Sequence, residues 1–246
     1  SSPLYSSAAS DVYKRQVKYT SNNNLGGTMM IPVYAISTGK IESLQYKDAK
    51  PMQSAINKQP FKDQMWLSKL GFVDDEQAYK DHGGPDKAVC CFSKKNYDMY
   101  RGDLLDMPEY AMFGENLTIE DLDENVVYFG NQYQLGDAII EVSEIREPCW
   151  KIQAKYGLSD LVKRMSQSGK TGFYCRVIKE GYVSQHHHLE LIKEAELDTQ
   201  LSVQTLNDIY YNDRKNADRI ASALKNPYLS SKRYEKLEKM YQRATK

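Results

Sequence analysis

The sequence predicts a mainly β protein, a β-barrel with short peripheral helices, followed by a small C-terminal three-helix domain. Three observations carry this expectation. From Ile31 onward, short β-type runs alternate with turn residues, the texture of a barrel or sandwich. The helical pieces among those runs are short. After Thr199 the hydrophobic period changes from two to that of a helix. These features divide the chain into 1–28, 29–198 and 199–246.

The segment 1–28 is rich in Ser, Asn and Gly, has no usable periodicity and lacks the apolar stretch of a signal peptide. It reads as a disordered or non-native extension, with the natural start at Met29 or Met30. Strands are expected at IPVYAIS (31–37), KAVCCFS (87–93), AMFGENL (111–117), NVVYFG (125–130), AIIEVSEI (138–145) and FYCRVIKEGYV (173–183). Turns fall at Leu135-Gly136-Asp137 and Lys179-Glu180-Gly181, where glycine tolerates the reversal. In AIIEVSEI, Ala138, Ile140 and Val142 share one face and Glu141 and Ser143 the other, the period of a half-buried strand. SDLVKRMSQSG (159–169) reads as a helix capped by Ser159 and ended by Gly169.

The tail reads as three helices. Ser202 caps the first, which carries Leu206, Ile209 and Tyr210. Asp213 caps the second, with Ile220 and Leu224 four apart. Pro227 breaks the chain, and Ser231 opens the third, with Tyr234, Leu237 and Tyr241 on one face. Helices of about ten residues are marginal alone, so they must pack on one another or on the barrel.

The 246 residues are 41% hydrophobic and 27% charged, which is globular rather than disordered. No run approaches the roughly 18 to 20 apolar residues of a membrane span, so an integral helical membrane protein is excluded. Thirty-three basic residues balance thirty-three acidic ones, leaving no whole-chain case for nucleic acid or a membrane surface. The balance is uneven, however: 201–246 holds ten Lys/Arg against five Asp/Glu, and 1–200 holds 23 against 28. Four cysteines without a C-x-x-C pair exclude zinc-ribbon and thioredoxin motifs and fit free thiols in a reducing cytoplasm.

Three stretches carry chemistry. In Arg146-Glu147-Pro148-Cys149-Trp150-Lys151, Pro148 suits the first position of a helix, which puts Cys149 in the first turn. The helix dipole, Arg146 and Lys151 there favour a thiolate, the form that acts as nucleophile or metal ligand. A buried structural cysteine among surface charges stays open as the alternative. In Asp81-His82-Gly83-Gly84-Pro85-Asp86-Lys87, paired glycines admit an anion to the backbone, Lys87 supplies charge and His82 can orient or protonate a ligand. A plain turn leading into a strand explains the same residues. Gly114-Glu115-Asn116-Leu117-Thr118 places a carboxylate and an amide after a tight position. Its glycosylation sequon is idle in a cytosolic protein.

Other features point elsewhere. His186-His187-His188, taken as strand residues, face alternate sides and do not converge on one ion. Cys90, Cys91 and Cys175 sit in apolar strands as core or wall residues.

HGGPDKAV (82–89), GENLT (114–118), LGDA (135–138), REPCWK (146–151) and GKTGFYCRV (169–177), in this order and before a three-helix tail, resemble the MOSC family, named for the C-terminal domain of molybdenum cofactor sulfurase. More narrowly they resemble its YiiM-type branch, whose members end in a 3-alpha domain. The resemblance implies a mostly β barrel holding a molybdenum cofactor, with Cys149 as the molybdenum ligand. It implies reduction of small N-hydroxylated substrates such as 6-hydroxylaminopurine. His82 and Glu115 are then candidates for proton delivery. Lys87, Asn116, Arg146 and Arg176 are candidates for the cofactor pocket, the basic ones toward the pterin phosphate. No flavin, NAD or iron–sulfur signature is present, so electrons come from outside, with an external flavoprotein reductase as the expected partner. The basic tail is a candidate docking surface for it, and a solvated helical face explains that charge equally well. A non-catalytic cofactor carrier, or a sulfur carrier using a Cys149 persulfide, fits the same residues. Nucleic-acid binding through the tail lacks a motif.

Overall fold

The computed structural model of the chain describes residues 29–46, 50–104 and 106–246. The expectation for 1–28 lies outside the described residues. The strands are β1 (Met30–Ile31), β2 (Val33–Thr38), β3 (Glu42–Leu44), β4 (Met52–Ser54), β5 (Gln59–Pro60), β6 (Gln64–Ser68), β7 (Gly71–Phe72), β8 (Val89–Ser93), β9 (Leu117–Ile119), β10 (Gln132–Leu135), β11 (Ala138–Ile145), β12 (Phe173–Lys179), β13 (Gly181–Ser184) and β14 (Leu189–Lys193). The helices are α1 (Trp150–Tyr156), α2 (Leu161–Ser168), α3 (Val203–Tyr211), α4 (Ala217–Ala223) and α5 (Ser231–Ala244).

Nine strands form one sheet in the order β1-β14-β10-β11-β12-β8-β9-β2-β5, antiparallel except for β8 and β9. β1 and β2 stand at or near opposite ends of that order, yet only Pro32 separates them in the chain. The sheet therefore curls until its ends meet at Pro32. A proline is tolerated at this junction because it has no N–H for a ladder to lose. Two smaller sheets, β13-β6-β7 and β3-β4, flank the main one. No helix among the described residues is long and apolar enough to cross a membrane.

The expected strands at 31–37, 87–93, 138–145 and 173–183 are present, with boundaries moved by specific residues. Lys87 belongs to a short 3-10 turn, Pro85–Lys87, ahead of β8. The run 173–183 is not a hairpin, because β12 pairs with β11 and β8 whereas β13 pairs with β6. Two expected strands are corrected. Residues 111–116 form a turn in which Ala111 (φ 46°) and Gly114 (φ 81°) take left-handed backbone, and the strand begins only at Leu117. A side chain on Gly114 would also meet Ile56 Cγ1 at 2.9 Å. Residues 125–130 make a single bridge, Tyr128 to Ser202, and otherwise turn.

β11 departs from simple alternation. Ala138, Ile140 and Val142 point into the core, but the pairing with β12 slips between Val142 and Glu144. This bulge shifts the phase, so Ile145 faces the core and Glu144 and Arg146 take the opposite side. The outer face is not solvated either: Glu141, Ser143 and Glu144 are all buried.

Two caps move by one to three residues. Asp160, not Ser159, precedes α2, and its side chain makes no cap bond. Asn216 rather than Asp213 caps α4, because Asp213 accepts from the Asn216 amide and from Arg219. Ser202 caps α3 as expected, and Ser230 caps α5. In α5 the buried side is Arg233 and Leu237, and Tyr234 is exposed. The three histidines lie in the turn between β13 and β14, where His187 Nδ1 accepts from the Ser184 amide. Among the described residues no group of three His, Cys, Asp or Glu is placed to hold a metal.

The tail shares the barrel's hydrophobic core. Leu201, Val203, Leu206, Ile209, Ile220 and Leu237 belong to one cluster with Val127, Phe129, Tyr133 and Val142. A second cluster, built on Phe92, Tyr97, Phe113, Ile152 and Met165, lies beneath α1 and α2. Leu206 is fully buried, so Leu206→Ala is expected to cost about 3 kcal/mol. Both tryptophans, Trp66 in β6 and Trp150 at the start of α1, lie outside the tail. Denaturant unfolding followed by tryptophan fluorescence should therefore show a lowered midpoint, since tail and barrel unfold together.

Candidate functional site

A cleft opens where the turns before β8, after β11 and around Gly114 come together. Its cavity volume is about 90 Å³, and it is open to solvent on one side. His82, Lys87, Asn116, Arg146, Cys149 and Lys151 all line it. Residues from three separate sequence stretches thus reach one cavity.

Cys149 is the half-exposed thiol of the chain, and the other three cysteines are buried. Its place differs from expectation by one step. Cys149 is the N-cap of α1, with extended backbone (φ −94°, ψ 144°), and Pro148 precedes the helix instead of starting it. The thiol makes no cap bond, and the Cys149 carbonyl accepts from the Ile152 amide at 3.0 Å. The sulfur therefore stands at the amide end of a helix without being spent on it.

Arg146 is buried at 6% exposure and lines the cleft. One guanidinium nitrogen, Nη2, donates to the Phe113 carbonyl, and the group lies 6.0 Å from the centre of the Phe92 ring. The other, Nη1, is buried and has no partner. A desolvated charge with a free donor is costly unless something anionic meets it. Lys87 donates from Nζ to the Asp81 carbonyl at 2.9 Å and lies 5.5 Å from the Tyr174 ring centre. Burial lowers its ammonium pKa. Lys151 donates to the Gln53 carbonyl at 2.5 Å.

The acids of the cleft are already engaged. Asp75 takes the Lys58 ammonium, the Gly39 amide and the Asn116 amide. Glu76 accepts from the Ile41 amide, and Lys40 lies beside it. Glu147 accepts from Arg233 and Lys236, each at 2.7 Å. Burial pushes the Glu147 carboxyl up, but those two cations outweigh it and hold the group down at about 2. The charge left facing the cavity is positive.

His82 registers that field. Burial, then Arg146, Lys151 and Lys87, bring its imidazole down to about 4. At neutral pH the ring is uncharged, and it packs edge-on against Tyr79 at 5.3 Å between centres.

Two expected site residues lie elsewhere. Glu115 is fully buried, and its carboxylate accepts from Tyr97, Thr118 and the Phe113 amide, so both oxygens hold the 111–118 turn together inside the protein. Arg176 lies outside the cavity, bound to Asp86 (2.9 Å), Glu141 (3.3 Å) and the Tyr228 carbonyl (3.0 Å). It fastens the glycine turn to the barrel and the tail. Asn116 does reach the cleft but is committed: it accepts from the Cys90 amide and donates to the Ser37 carbonyl and Asp75.

Sequence reasoning passed over Cys90, Tyr174, Lys58 and Asp75, which also line the cavity. For the first two a signal existed. Period two along β8 puts Cys90 and Cys91 on opposite faces, and along β12 it does the same for Tyr174 and Cys175. Lys58 and Asp75 carry no such signal, because they meet from segments 17 residues apart.

A sequence profile of the MOSC domain matches residues 78–190. The chain is 38% identical over 161 residues to protein YiiM of Escherichia coli, covering 64% of this chain and 70% of that one. It is 31% identical over 144 residues to a protein of Gibberella moniliformis named reductase, covering 57% of this chain and 26% of that protein. The crystal structure of YiiM from Geobacillus stearothermophilus superposes with a TM-score of 0.71 at 29% identity, over 86% of this chain and 99% of that one.

With its pKa held to about 4, His82 stays unprotonated in the ligand-free fold at pH values where the unfolded chain takes up a proton. Its contribution to stability is therefore complete above about pH 6.5 and declines as the pH falls toward 4. Nitrogen-15 NMR of the ring should give a midpoint near 4. His82→Gln should remove that part of the acid-side decline.

Proposed function

The chain belongs to the MOSC-domain family, in its YiiM-type branch, and from that premise we propose a molybdenum-cofactor-dependent reductase of small N-hydroxylated compounds, with the Cys149 thiolate as the protein's metal ligand. One observation carries the reading. The half-exposed thiol of the chain shares a cleft with a buried arginine whose Nη1 has no partner.

The residues present fit the cofactor. A soft thiolate suits molybdenum, and Arg146, Lys151 and Lys87 offer a pterin phosphate the charge that the engaged acids do not cancel. When bound, the cofactor supplies a two-electron couple and a site that accepts oxygen. The overall change is R–NH–OH plus two electrons and two protons giving R–NH2 and water, with electrons from an external donor, proposed to be a flavoprotein.

The chain's own residues bind, orient and move protons. Arg146 is fixed by Phe113 and Phe92, so it presents a charge that needs no rearrangement. Asn116 and Asp75 tie the start of β8 to β2, which keeps the cavity wall from closing on an anion. His82, neutral at pH 7, relays a proton from water to the leaving hydroxyl; it is not a standing imidazolium. An anionic ligand beside it raises its pKa and draws a proton into the site. Glu115, sealed in its turn, takes no part. The reductase name of the Gibberella moniliformis relative supports the reaction class.

Protein produced in a host that makes the cofactor should contain molybdenum by elemental analysis. With a supplied electron donor it should convert 6-hydroxylaminopurine to the amine. Cys149→Ser should lose both properties while keeping the fold. Molybdenum bound without turnover would instead favour a cofactor carrier, and metal retained by Cys149→Ser would remove the thiolate ligand from the scheme.

A further inference from the structure

We propose that Arg233, with Lys236, is a positioning residue for the cysteine site: α5 orients the Cys149 loop through Glu147. The proposal rests on reading Cys149 as the functional thiol, and it assigns the basic tail a role inside the site.

Arg233 is the largest side chain that is fully buried, at 1% exposure. Its Nε donates to Glu144 Oε1 at 2.7 Å and its Nη2 to Glu147 Oε1 at 2.7 Å. One planar group thus spans the end of β11 and the loop two residues before Cys149. Its geometry is held from three further sides. The Ser230 hydroxyl donates to Glu144 Oε2 at 2.9 Å, Lys236 donates to Glu147 Oε1 at 2.7 Å, and the guanidinium lies 4.6 Å from the Tyr210 ring centre. Lys232, on the same turn, reaches Asp81 at 3.1 Å, next to His82 on the other wall of the cleft. That last pair is exposed and weak, so the hold on the cysteine loop falls to Arg233 and Lys236.

The loop needs such a hold. Cys149 has no side-chain bond, and Pro148 contributes no N–H. Arg146 and Glu147, adjacent in sequence and both in the wall of the cleft, are held by different elements. Arg146 is anchored to Phe113 and Glu147 to α5. Removing the second anchor leaves the loop free to turn about the first. A guanidinium suits the task because its fork reaches two carboxylates in one plane, which an ammonium cannot do.

The test uses the full chain without cofactor and reads the rate of iodoacetamide modification at Cys149 by intact mass, the other three thiols being buried. Arg233→Met should raise the rate about tenfold, a change of about 1.4 kcal/mol in the barrier to modification. Arg233→Lys should fall between it and the parent. Leu237→Ala weakens the same helix without touching Glu147, so at a temperature where all variants are folded it should leave the rate unchanged. Equal changes in Arg233→Met and Leu237→Ala, or none in either, overturn the proposal and leave the tail a stability element only. If Arg233→Met does not fold, Lys236→Met, half exposed and bonded to Glu147, carries the same comparison with the same expected direction. The measurement needs no metal, so it stands or falls separately from the molybdenum reading.

Discussion

Glu144 and Arg233 form a buried ion pair, extended to the half-exposed Glu147, on which both the tail and the cysteine loop depend. Placing a guanidinium at 1% exposure is expensive, and two carboxylates at 2.7 Å offset that cost through charge-assisted bonds in a low dielectric. The cluster cannot be entered by halves. Losing Arg233 or Glu144 leaves the other as a buried charge short of its partner, a change on the order of 3 to 5 kcal/mol. It is also connected outward: Glu144 ends β11, Glu147 begins the loop to Cys149, and Arg233 belongs to a helix whose Leu237 sits in the barrel's own core. Barrel, loop and tail are therefore joined through one core and one charge cluster.

The same logic shapes the cleft. Its carboxylates are bonded to cations or amides on their far sides, so their charge is spent before it reaches the cavity. Arg146 and Lys87 meet only carbonyl oxygens and aromatic rings, and those neutralise nothing. The asymmetry makes a small basic cavity in a chain of zero net charge. Burial and, after it, these cations depress the imidazole of His82. A site built this way favours an anion, because its cations are not neutralised by the carboxylates around them.

β11 links these parts. Its bulge after Val142 changes which side chains look outward, and the outward set, Glu144 and Arg146, becomes the anchor points of tail and cleft. Without the phase shift, Ile145 would leave the core and the two charged residues would enter it. Ser143, by donating to the Asp86 carbonyl at 2.8 Å, fixes the glycine turn to the same strand. The strand that closes the barrel wall thus sets the distance between its two functional turns.

Period and turn chemistry were enough to identify β2, β8, β11, β12 and β13, the three tail helices and the stretches that meet in the cleft, because these signals are local and depend on neighbours a few residues away. The same signals passed over β3 to β7, β10 and β14, which are short and, apart from β6 and β14, have at most four residues each. They failed at 111–116 and 125–130, where apolar runs resemble strands but left-handed backbone or a lack of partners makes turns. They also could not separate Glu115 from Asn116 or Arg146 from Arg176, since a charged side chain in a motif looks the same facing a cavity or a buried partner. Which of them faces the cavity follows from pairings across long separations: Tyr97 with Glu115, Asp86 with Arg176, Phe113 with Arg146. The tail's charge is the clearest case. Its ten basic residues are legible in the composition, but the commitment of Arg233 and Lys236 to Glu147, 86 and 89 residues away, exists only once the core brings them together.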